Sequence, residues 1–323
     1  MEVIFTEPKA IVAIIFAIII FVLALLSLIL AFVSYFLSFY TRRRTHYDVY
    51  HGLTDEEIEG NPRKQLSRSY VDELMALPYE SVSVRSRDGL TLRAKYYEIK
   101  KGAPLEIQFH GYRSTSRHDF SGGTLESMRR GHNVLLVDQR SHGESDGRTI
   151  SFGVKERYDV LAWVDFANER FGEDVQIILV GISMGAGTVI MSSELDLPSN
   201  VAAIVADCPY SSPVEIISKV IREDLHLPAA LLIPFVRLGG MLFGGFDMLS
   251  ASPVEAVKNT EIPILILHGE GDNFVPCYMS EKIAAAGKTV TLVTFAEAGH
   301  GLSFIYDGEK YKRALDEFYG KNL

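Results

Sequence analysis

The chain has 323 residues, of which 47% are hydrophobic, and a formal net charge of −9 at pH 7. This length suffices for one large α/β domain with additional elements. The acidic balance argues against nucleic acid as a partner, because binding to phosphates requires a basic face. The two cysteines, Cys208 and Cys277, lack CxxC spacing, which favours unpaired thiols in a reducing compartment and leaves a single bridge between them open.

The first predicted element is a membrane-spanning helix. Residues Ala10–Tyr40 form an uncharged run of 31 residues, whereas ~20 apolar residues suffice to cross a bilayer. As a helix the run would be ~46 Å long, so we expect it to tilt or to place its aromatic end in the membrane interface. The alternative is a cleaved signal peptide, which the length of the run and the acidic residues Glu2 and Glu7 before it disfavour.

Three arginines, Arg42–Arg44, follow this run directly. Basic residues on the C-terminal side of a span favour a cytoplasmic location for the chain that follows. We therefore predict a single-pass membrane protein in which residues 1–44 are the anchor and its basic flank, with a cytoplasmic catalytic domain; the reverse orientation is the alternative. Residues 45–80 are predicted to be a charged connector that contains a short amphipathic helix.

From residue 81 onward, apolar strands alternate with helical patterns. Two strands flank the turn Arg87-Asp88-Gly89, and six more are predicted at residues 105–109, 133–137, 175–180, 201–206, 264–267 and 290–295. The fold class is therefore α/β, with an eight-stranded, mostly parallel sheet that carries helices on both faces. Within this domain of residues 81–323, residues 213–260 contain no strand pattern. They are predicted to form a helical cap insert, the alternative being ordinary core helices.

A nucleophile is predicted in the run Gly181-Ile182-Ser183-Met184-Gly185, which follows an apolar strand and precedes a helical pattern. The G-x-S-x-G motif is common by chance, but strand, sharp turn and helix together are typical of a turn that exposes a serine hydroxyl above a sheet. Glycines are needed where the strand and helix backbones approach each other, because no Cβ fits there. Ser183 is therefore the candidate nucleophile.

A serine hydroxyl needs a base, and the base needs an acid that orients it. His300 follows the last apolar strand within Ala298-Gly299-His300-Gly301, and Asp272 follows the strand before it. The chain order Ser183, Asp272, His300 is the nucleophile–acid–base order of α/β folds of this kind. Asp207, at the end of an earlier strand, is the competing acid.

Two backbone N–H groups must face the oxyanion that forms when a serine attacks a carbonyl. Met184, next to the nucleophile, and Tyr112, in the loop after strand 105–109, are predicted to supply them. The histidines of three His-Gly pairs, His110, His142 and His268, are predicted to shape turns. None of the histidines has metal-ligand spacing such as H-E-x-x-H, so no metal or cofactor is implied.

Together these residues resemble the α/β-hydrolase superfamily, most closely its bacterial esterase and monoacylglycerol-lipase-like members in the serine aminopeptidase S33 domain group. The resemblance runs from about Ser81 to Asn322 and is carried by His110-Gly111, Asp138–Ser145, Gly181–Gly185, His268–Pro276 and Gly299-His300. It implies ester hydrolysis through an acyl-enzyme, with the cap insert forming the acyl pocket. One departure is Ser141, which stands where many relatives have glycine.

The sequence thus predicts a membrane-anchored serine hydrolase that cleaves small-molecule carboxylic esters with an apolar acyl or aromatic part. A thioesterase or depalmitoylase and a peptidase of the S33 kind are the enzymatic alternatives. A non-catalytic, membrane-tethered binding protein is the alternative from another class.

Overall fold

A computed structural model describes residues 8–41 and 48–323. Three helices precede the first strand: α1 (Pro8–Ser38), α2 (Asp55–Ile58) and α3 (Pro62–Ala76). Thr54 and Glu57 form a capping box at the start of α2, and the Asn61 side chain caps α3 ahead of Pro62. Arg42–Arg44, on which the predicted orientation depends, lie outside the described residues.

The core element is one eight-stranded sheet in the order β1-β2-β4-β3-β5-β6-β7-β8. Its strands are β1 (Glu80–Arg85), β2 (Thr91–Tyr97), β3 (Leu105–Phe109), β4 (Asn133–Asp138), β5 (Ile177–Ile182), β6 (Val201–Asp207), β7 (Ile264–Gly269) and β8 (Val290–Phe295). β2 pairs antiparallel with β1 and β4, and every other pairing is parallel. The predicted fold class is confirmed.

Helices cover both faces of the sheet because its central strands are apolar on both sides. The remaining helices are α4 (Ser116–Arg129), α5 (Glu156–Phe171), α6 (Met184–Ser192), α7 (Pro213–Lys219), α8 (Ala229–Gly239), α9 (Pro253–Ala256), α10 (Tyr278–Ala286), α11 (Ser303–Tyr306) and α12 (Gly308–Asn322). Trp163 of α5 and Val189 of α6 pack on one face. Leu74 of α3, Phe120 of α4 and Leu315 of α12 pack on the other, so the predicted connector contributes to the core.

The predicted cap insert, residues 213–260, lies between β6 and β7 and contains α7, α8 and α9. Two π-helical turns, Val220–Asp224 and Gly240–Gly244, follow α7 and α8 directly. The insert packs against the C-terminal part of α1. Phe39, just beyond α1, is fully buried, and its ring contacts Phe152 and Phe246 at centroid distances of 6.0 and 5.0 Å. The end of the apolar helix is therefore built into the α/β domain.

Candidate active site

Ser183 stands alone between β5 and α6, on a sharp turn with φ 55° and ψ −112°. A positive φ is costly for a non-glycine residue and persists only where the surrounding structure enforces it. A Cβ on Gly185 would overlap the carbonyl oxygen of Phe109 in β3, and a Cβ on Gly181 would overlap the backbone of Gly185. Both glycines of the motif are thus required by close backbone approach, as the sequence indicates.

Ser183, His300 and Asp272 form a continuous hydrogen-bonded chain. His300 Nε2 lies 2.9 Å from Ser183 Oγ, and His300 Nδ1 lies 2.7 Å from Asp272 Oδ2. The three residues follow β5, β8 and β7, whose carboxyl ends meet at one edge of the sheet. Both distances are short enough for hydrogen bonds, so His300 can take a proton from Ser183 and can be oriented by Asp272. The structure brings all three predicted side chains together.

Asp272 is held as a buried carboxylate. Its Oδ1 accepts hydrogen bonds from the N–H groups of Phe274 and Val275 at 2.9 and 2.8 Å. Burial alone would raise the pKa of Asp272, but hydrogen bonds from His268 and His300 outweigh it and hold that pKa well below its usual value. A charged carboxylate beside Nδ1 fixes the tautomer of His300 that leaves Nε2 free to accept a proton.

Asp207, the competing acid, occupies a different place. It ends β6, and its main-chain oxygen accepts the N–H of Ser183 at 2.8 Å. Its side chain is buried, and within residues 8–41 and 48–323 its Oδ1 accepts no hydrogen bond. Burial raises the pKa of Asp207 to about 6. The structure therefore sets Asp272, and not Asp207, in hydrogen-bond contact with His300.

The predicted oxyanion donors flank the nucleophile. Met184 is the first residue of α6, so its N–H has no acceptor within the helix. The loop after β3 carries Gly111 and Tyr112, and a Cβ built on Gly111 would lie 3.5 Å from the Cβ of Ser183. This proximity puts the backbone of the loop beside the position where a carbonyl oxygen would develop negative charge.

Two side chains that hold this loop were missed as site residues by sequence reasoning. Asp119 accepts the N–H of Gly111 at 2.7 Å and the hydroxyl of Ser114 at 2.5 Å. His142 Nε2 accepts the N–H of Arg113 at 3.0 Å. In the sequence, Asp119 is only an acidic residue in the first turn of a helical pattern. Many helices have such a residue, so it gives no signal of a site.

The buried histidines organise neighbouring loops. Burial lowers the pKa of His142 to about 3 and also lowers the pKa of His110. His110 Nε2 accepts the N–H of Gln139 at 3.1 Å. His268 lies behind the acid, with Nε2 donating to the carbonyl of Val275 at 2.8 Å. These contacts match the turn-shaping role predicted for all three histidines.

The turn after β4 is held by two buried ion pairs. Asp138 pairs with Lys95 at 2.9 Å, and Arg140 pairs with Asp159 at 2.6 Å. Each charged group is buried and takes the nearest opposite charge on a neighbouring element. Ser141, which departs from the glycine of many relatives, has φ 68°, a conformation that favours glycine.

A cavity of about 640 Å³ opens at Ser183 and His300. This volume lies within the ~300–1,000 Å³ typical of small-molecule sites. Much of its wall is apolar and includes Leu53, Phe120, Val180, Val205, Phe304 and Leu315. The buried polar residues Glu106 and Gln108 also line it. Leu53 comes from the connector and the other apolar residues from the sheet and from α4, α11 and α12.

Among the described residues, none from the cap insert lines this cavity. The expectation that the insert forms the acyl pocket is therefore wrong for this cavity. The physical reason is that the inner side of the insert is already occupied. It packs against Tyr35 and Phe39 at the end of α1.

Comparison with known proteins places this arrangement in a family. The model of the alpha/beta hydrolase family matches residues 109–314. The chain belongs to the alpha/beta hydrolase family.

Relatives of this alpha/beta hydrolase include YqkD from Bacillus subtilis (strain 168), 28% identical over 189 residues, which are 58% of this chain and 62% of that protein. Lysophosphatidylserine lipase ABHD12 from Rattus norvegicus is 26% identical over 256 residues, 70% of this chain and 59% of that protein. The Pyrococcus furiosus esterase Pf2001 has a similar structure, with a TM-score of 0.61 and 22% identity. The match covers 78% of this chain and 94% of that chain. The chain spans about half to three-fifths of the length of the curated relatives it matches.

One group of side chains in this alpha/beta hydrolase lies as close together as the ligands of a metal ion would. Cys208, Asp272 and His300 offer ligand atoms within 4.8 Å of one another. The donor set does not fit a metal, since both ring nitrogens of His300 already contact Asp272 and Ser183. Burial also raises the pKa of the Cys208 thiol well above its usual value, whereas a metal ligand must be a thiolate.

Proposed function

We propose that the protein is a membrane-anchored serine hydrolase that cleaves carboxylic esters through an acyl-enzyme. The observation that carries this proposal is the unbroken chain of hydrogen bonds from Ser183 Oγ through His300 to Asp272. A strained turn that exposes a serine, a histidine base and a buried carboxylate in this order form a complete nucleophilic apparatus.

In the proposed reaction, His300 Nε2 takes the hydroxyl proton as Ser183 Oγ attacks the ester carbonyl carbon. The N–H groups of Met184 and Tyr112 stabilise the negative oxygen of the tetrahedral intermediate. The intermediate collapses as the C–O bond to the alcohol breaks, and His300 gives its proton to the departing alcohol. Water then attacks the acyl-enzyme with His300 as base, which releases the acid and regenerates Ser183.

The substrate we propose is a small ester with an apolar acyl or aromatic part. The apolar wall of the cavity beside Ser183 supports this choice, because such a surface gains free energy by covering hydrocarbon. The names of the relatives, a lipase and an esterase, point the same way.

The anchor we propose is α1, as a single span with the catalytic domain in the cytoplasm. The helix Lys9–Ser38 has a mean hydropathy of 3.4 over its most apolar window, and none of that window is buried against the rest of the described chain. This length and composition suffice to cross a bilayer. The cytoplasmic orientation depends on Arg42–Arg44.

The test is active-site labelling of the full chain in vesicles with a fluorophosphonate probe. We expect wild type and the surface variant Ser250→Ala to be labelled, and Ser183→Ala to be unlabelled although folded. Labelled enzyme is then assayed on nitrophenyl esters of increasing chain length, on acyl thioesters and on aminoacyl amides. A folded wild type that resists the probe, or one that hydrolyses only thioesters or amides, overturns the proposal.

A further inference from the structure

The burial of α1 divides it into two parts. Residues 9–26 are exposed on every face, whereas a stripe further along is buried or half-buried. The exposed part has 18 residues and measures ~27 Å, close to the ~30 Å thickness of a hydrocarbon core. The exposed part alone therefore nearly spans a bilayer, and the remaining turns of α1 lie at one membrane surface.

The buried stripe of α1 packs against α8 of the cap insert. It consists of Ser27, Ala31, Ser34, Tyr35 and Ser38, and Phe36 beside it is also half-buried. Small residues three or four positions apart let two helices approach closely, as in membrane-embedded helix pairs. The approach is close enough that a Cβ on Gly239 of α8 would overlap the carbonyl oxygen of Ala31. Phe243, after α8, packs edge-on against Phe32 with centroids 5.3 Å apart.

The cap insert also exposes large apolar side chains beside its contact with α1. Leu231 in α8 is 68% exposed and Leu242 in the following turn is 56% exposed. Further exposed members of this apolar face are Leu225, Leu227, Met241 and Phe243. Across residues 225–246 the only lysine, arginine or acidic residue is Arg237, which pairs with Asp247 outside this range at 2.6 Å. Large apolar side chains exposed together on one short segment mark an interaction site.

We propose that this apolar face of the cap insert lies in the lipid interface of the bilayer that α1 spans. The occupant is lipid because the face adjoins α1, whose exposed side chains Phe32 and Leu37 at the same level are also apolar and need the same environment. The inference rests on the proposed anchoring role of α1. It adds a second membrane contact, which fixes the orientation of the catalytic domain instead of leaving it on a flexible tether.

This orientation determines which substrates reach Ser183. The last turn of α1 contacts the loop that carries Tyr112, through a 2.8 Å hydrogen bond from the Tyr112 hydroxyl to the Ser38 carbonyl. The loop beside the nucleophile is thus held at the membrane surface. The substrate class assigned to the site is an ester-bearing lipid that enters from the bilayer and does not pass through bulk water.

The direct test places a tryptophan in the apolar face. The full chain carries one tryptophan, Trp163, which is fully buried in the core and gives a constant background. Leu231→Trp and Leu242→Trp proteins are reconstituted in phosphatidylcholine vesicles with or without bromine on the acyl chains. We expect brominated lipid to reduce the emission of each added tryptophan about twofold, since interfacial helices lie ~5–10 Å deep.

The matched control is Ile99→Trp. Ile99 is an exposed apolar residue in the loop before β3, at the end of the sheet opposite to Ser183. The emission of the tryptophan at position 99 is expected to be the same in both lipids. Unquenched emission from residues 231 and 242 in anchored protein overturns the proposal, whether the face contacts water or a second copy of the chain. The readout needs no enzymatic activity, so it fails independently of the proposed reaction.

A second measurement addresses the substrate. Leu231→Asp is expected to hydrolyse an ester embedded in vesicles about tenfold more slowly than wild type. This factor corresponds to the free energy that is gained when one leucine side chain is buried. Hydrolysis of a short, water-soluble nitrophenyl ester is expected to be unchanged, since Leu231 does not line the cavity. Equal rates for the variant and wild type on the embedded ester contradict entry from the bilayer.

Discussion

The hydroxyl of Tyr112 donates a 2.8 Å hydrogen bond to the main-chain oxygen of Ser38, the last residue of α1. Carbonyl groups in the last turn of a helix have no partner within the helix and must find one elsewhere. Arg113 satisfies another, with its guanidinium 3.0 Å from the oxygen of Leu37. The loop proposed to bind the oxyanion is therefore fastened to the apolar helix by two consecutive side chains.

This fastening predicts a catalytic effect of a change outside the triad. Tyr112→Phe keeps the backbone N–H but removes the hydrogen bond to Ser38, so the loop is held less firmly. We expect kcat for a short nitrophenyl ester to fall about fivefold to tenfold, the equivalent of one hydrogen bond, with KM little changed. The control is Tyr79→Phe, at an exposed ring directly before β1. A change in KM alone, with kcat unaltered, would speak against a positioning role.

The contacts of His300 predict different outcomes at two buried aspartates. Asp272→Asn removes the charge that stabilises the imidazolium and favours the wrong tautomer, so kcat/KM should fall by about three to four orders of magnitude. Asp207→Asn should leave kcat/KM near the wild-type value, because Asp207 makes no hydrogen bond to His300 in the described structure. Steady-state kinetics of both variants on one ester decide the matter. A larger loss for Asp207→Asn would make that residue the acid.

Acid should destabilise the protein through His142. Burial lowers its pKa to about 3 in the folded state, against about 6.5 when unfolded. Between these values only the unfolded state binds the proton, so the contribution to stability is complete above pH ~6.5 and is lost as pH falls towards 3. The loss should be about 3 kcal/mol at pH 4.5 and should approach about 5 kcal/mol below pH 3. Urea unfolding at pH 7.5 and 4.5 measures it.

The same unfolding experiment on His142→Gln should give a smaller difference between the two pH values, because glutamine does not titrate. Some pH dependence will remain, since burial also lowers the pKa of His110. His226→Gln, at an exposed site, is the matched control and should behave as wild type. An undiminished pH dependence in His142→Gln would show that other groups cause the acid destabilisation.

The turn around Ser183 predicts a large penalty for one added methyl group. Gly185→Ala would bring its Cβ against the carbonyl oxygen of Phe109, which is backbone and cannot rotate away. We expect the free energy of unfolding to fall by about 3 kcal/mol or more. Gly320→Ala, in the open part of α12, should instead add ~0.5–1 kcal/mol. Chemical denaturation of the two variants measures the contrast, and equal stabilities would contradict the close approach.

The sequence predicts much of the fold and of the candidate site because both depend on local patterns. Apolar runs mark the strands, and chemically active residues directly after them gather at one edge of a parallel sheet. Ser183, Asp272 and His300 each follow such a strand, so the order of the strands in the sheet is enough to predict that they lie close together. The glycines beside Ser183 add a steric signature that is also local.

The remainder depends on contacts between distant segments, which local patterns do not encode. Residues 45–80 are highly charged and so resemble a connector, yet Leu74 is fully buried on the sheet and Leu53 lines the cavity. Asp119 and His142 acquire their roles only when the loop after β3 lies between them. The apolar character of the cap insert was evident, but its packing partner is about 200 residues away in the chain.

The burial of Phe39 has a consequence for the life of the protein in the cell. Because this ring fills a pocket between Phe152 and Phe246, the hydrophobic core is complete only when the end of α1 is in place. With α1 as the proposed anchor, a single proteolytic cut after Thr41 would leave the cleaved helix bound, so it should not release a soluble enzyme. Biogenesis would be constrained in the same way, because delivery of α1 to the bilayer and closure of the catalytic domain would form one maturation step.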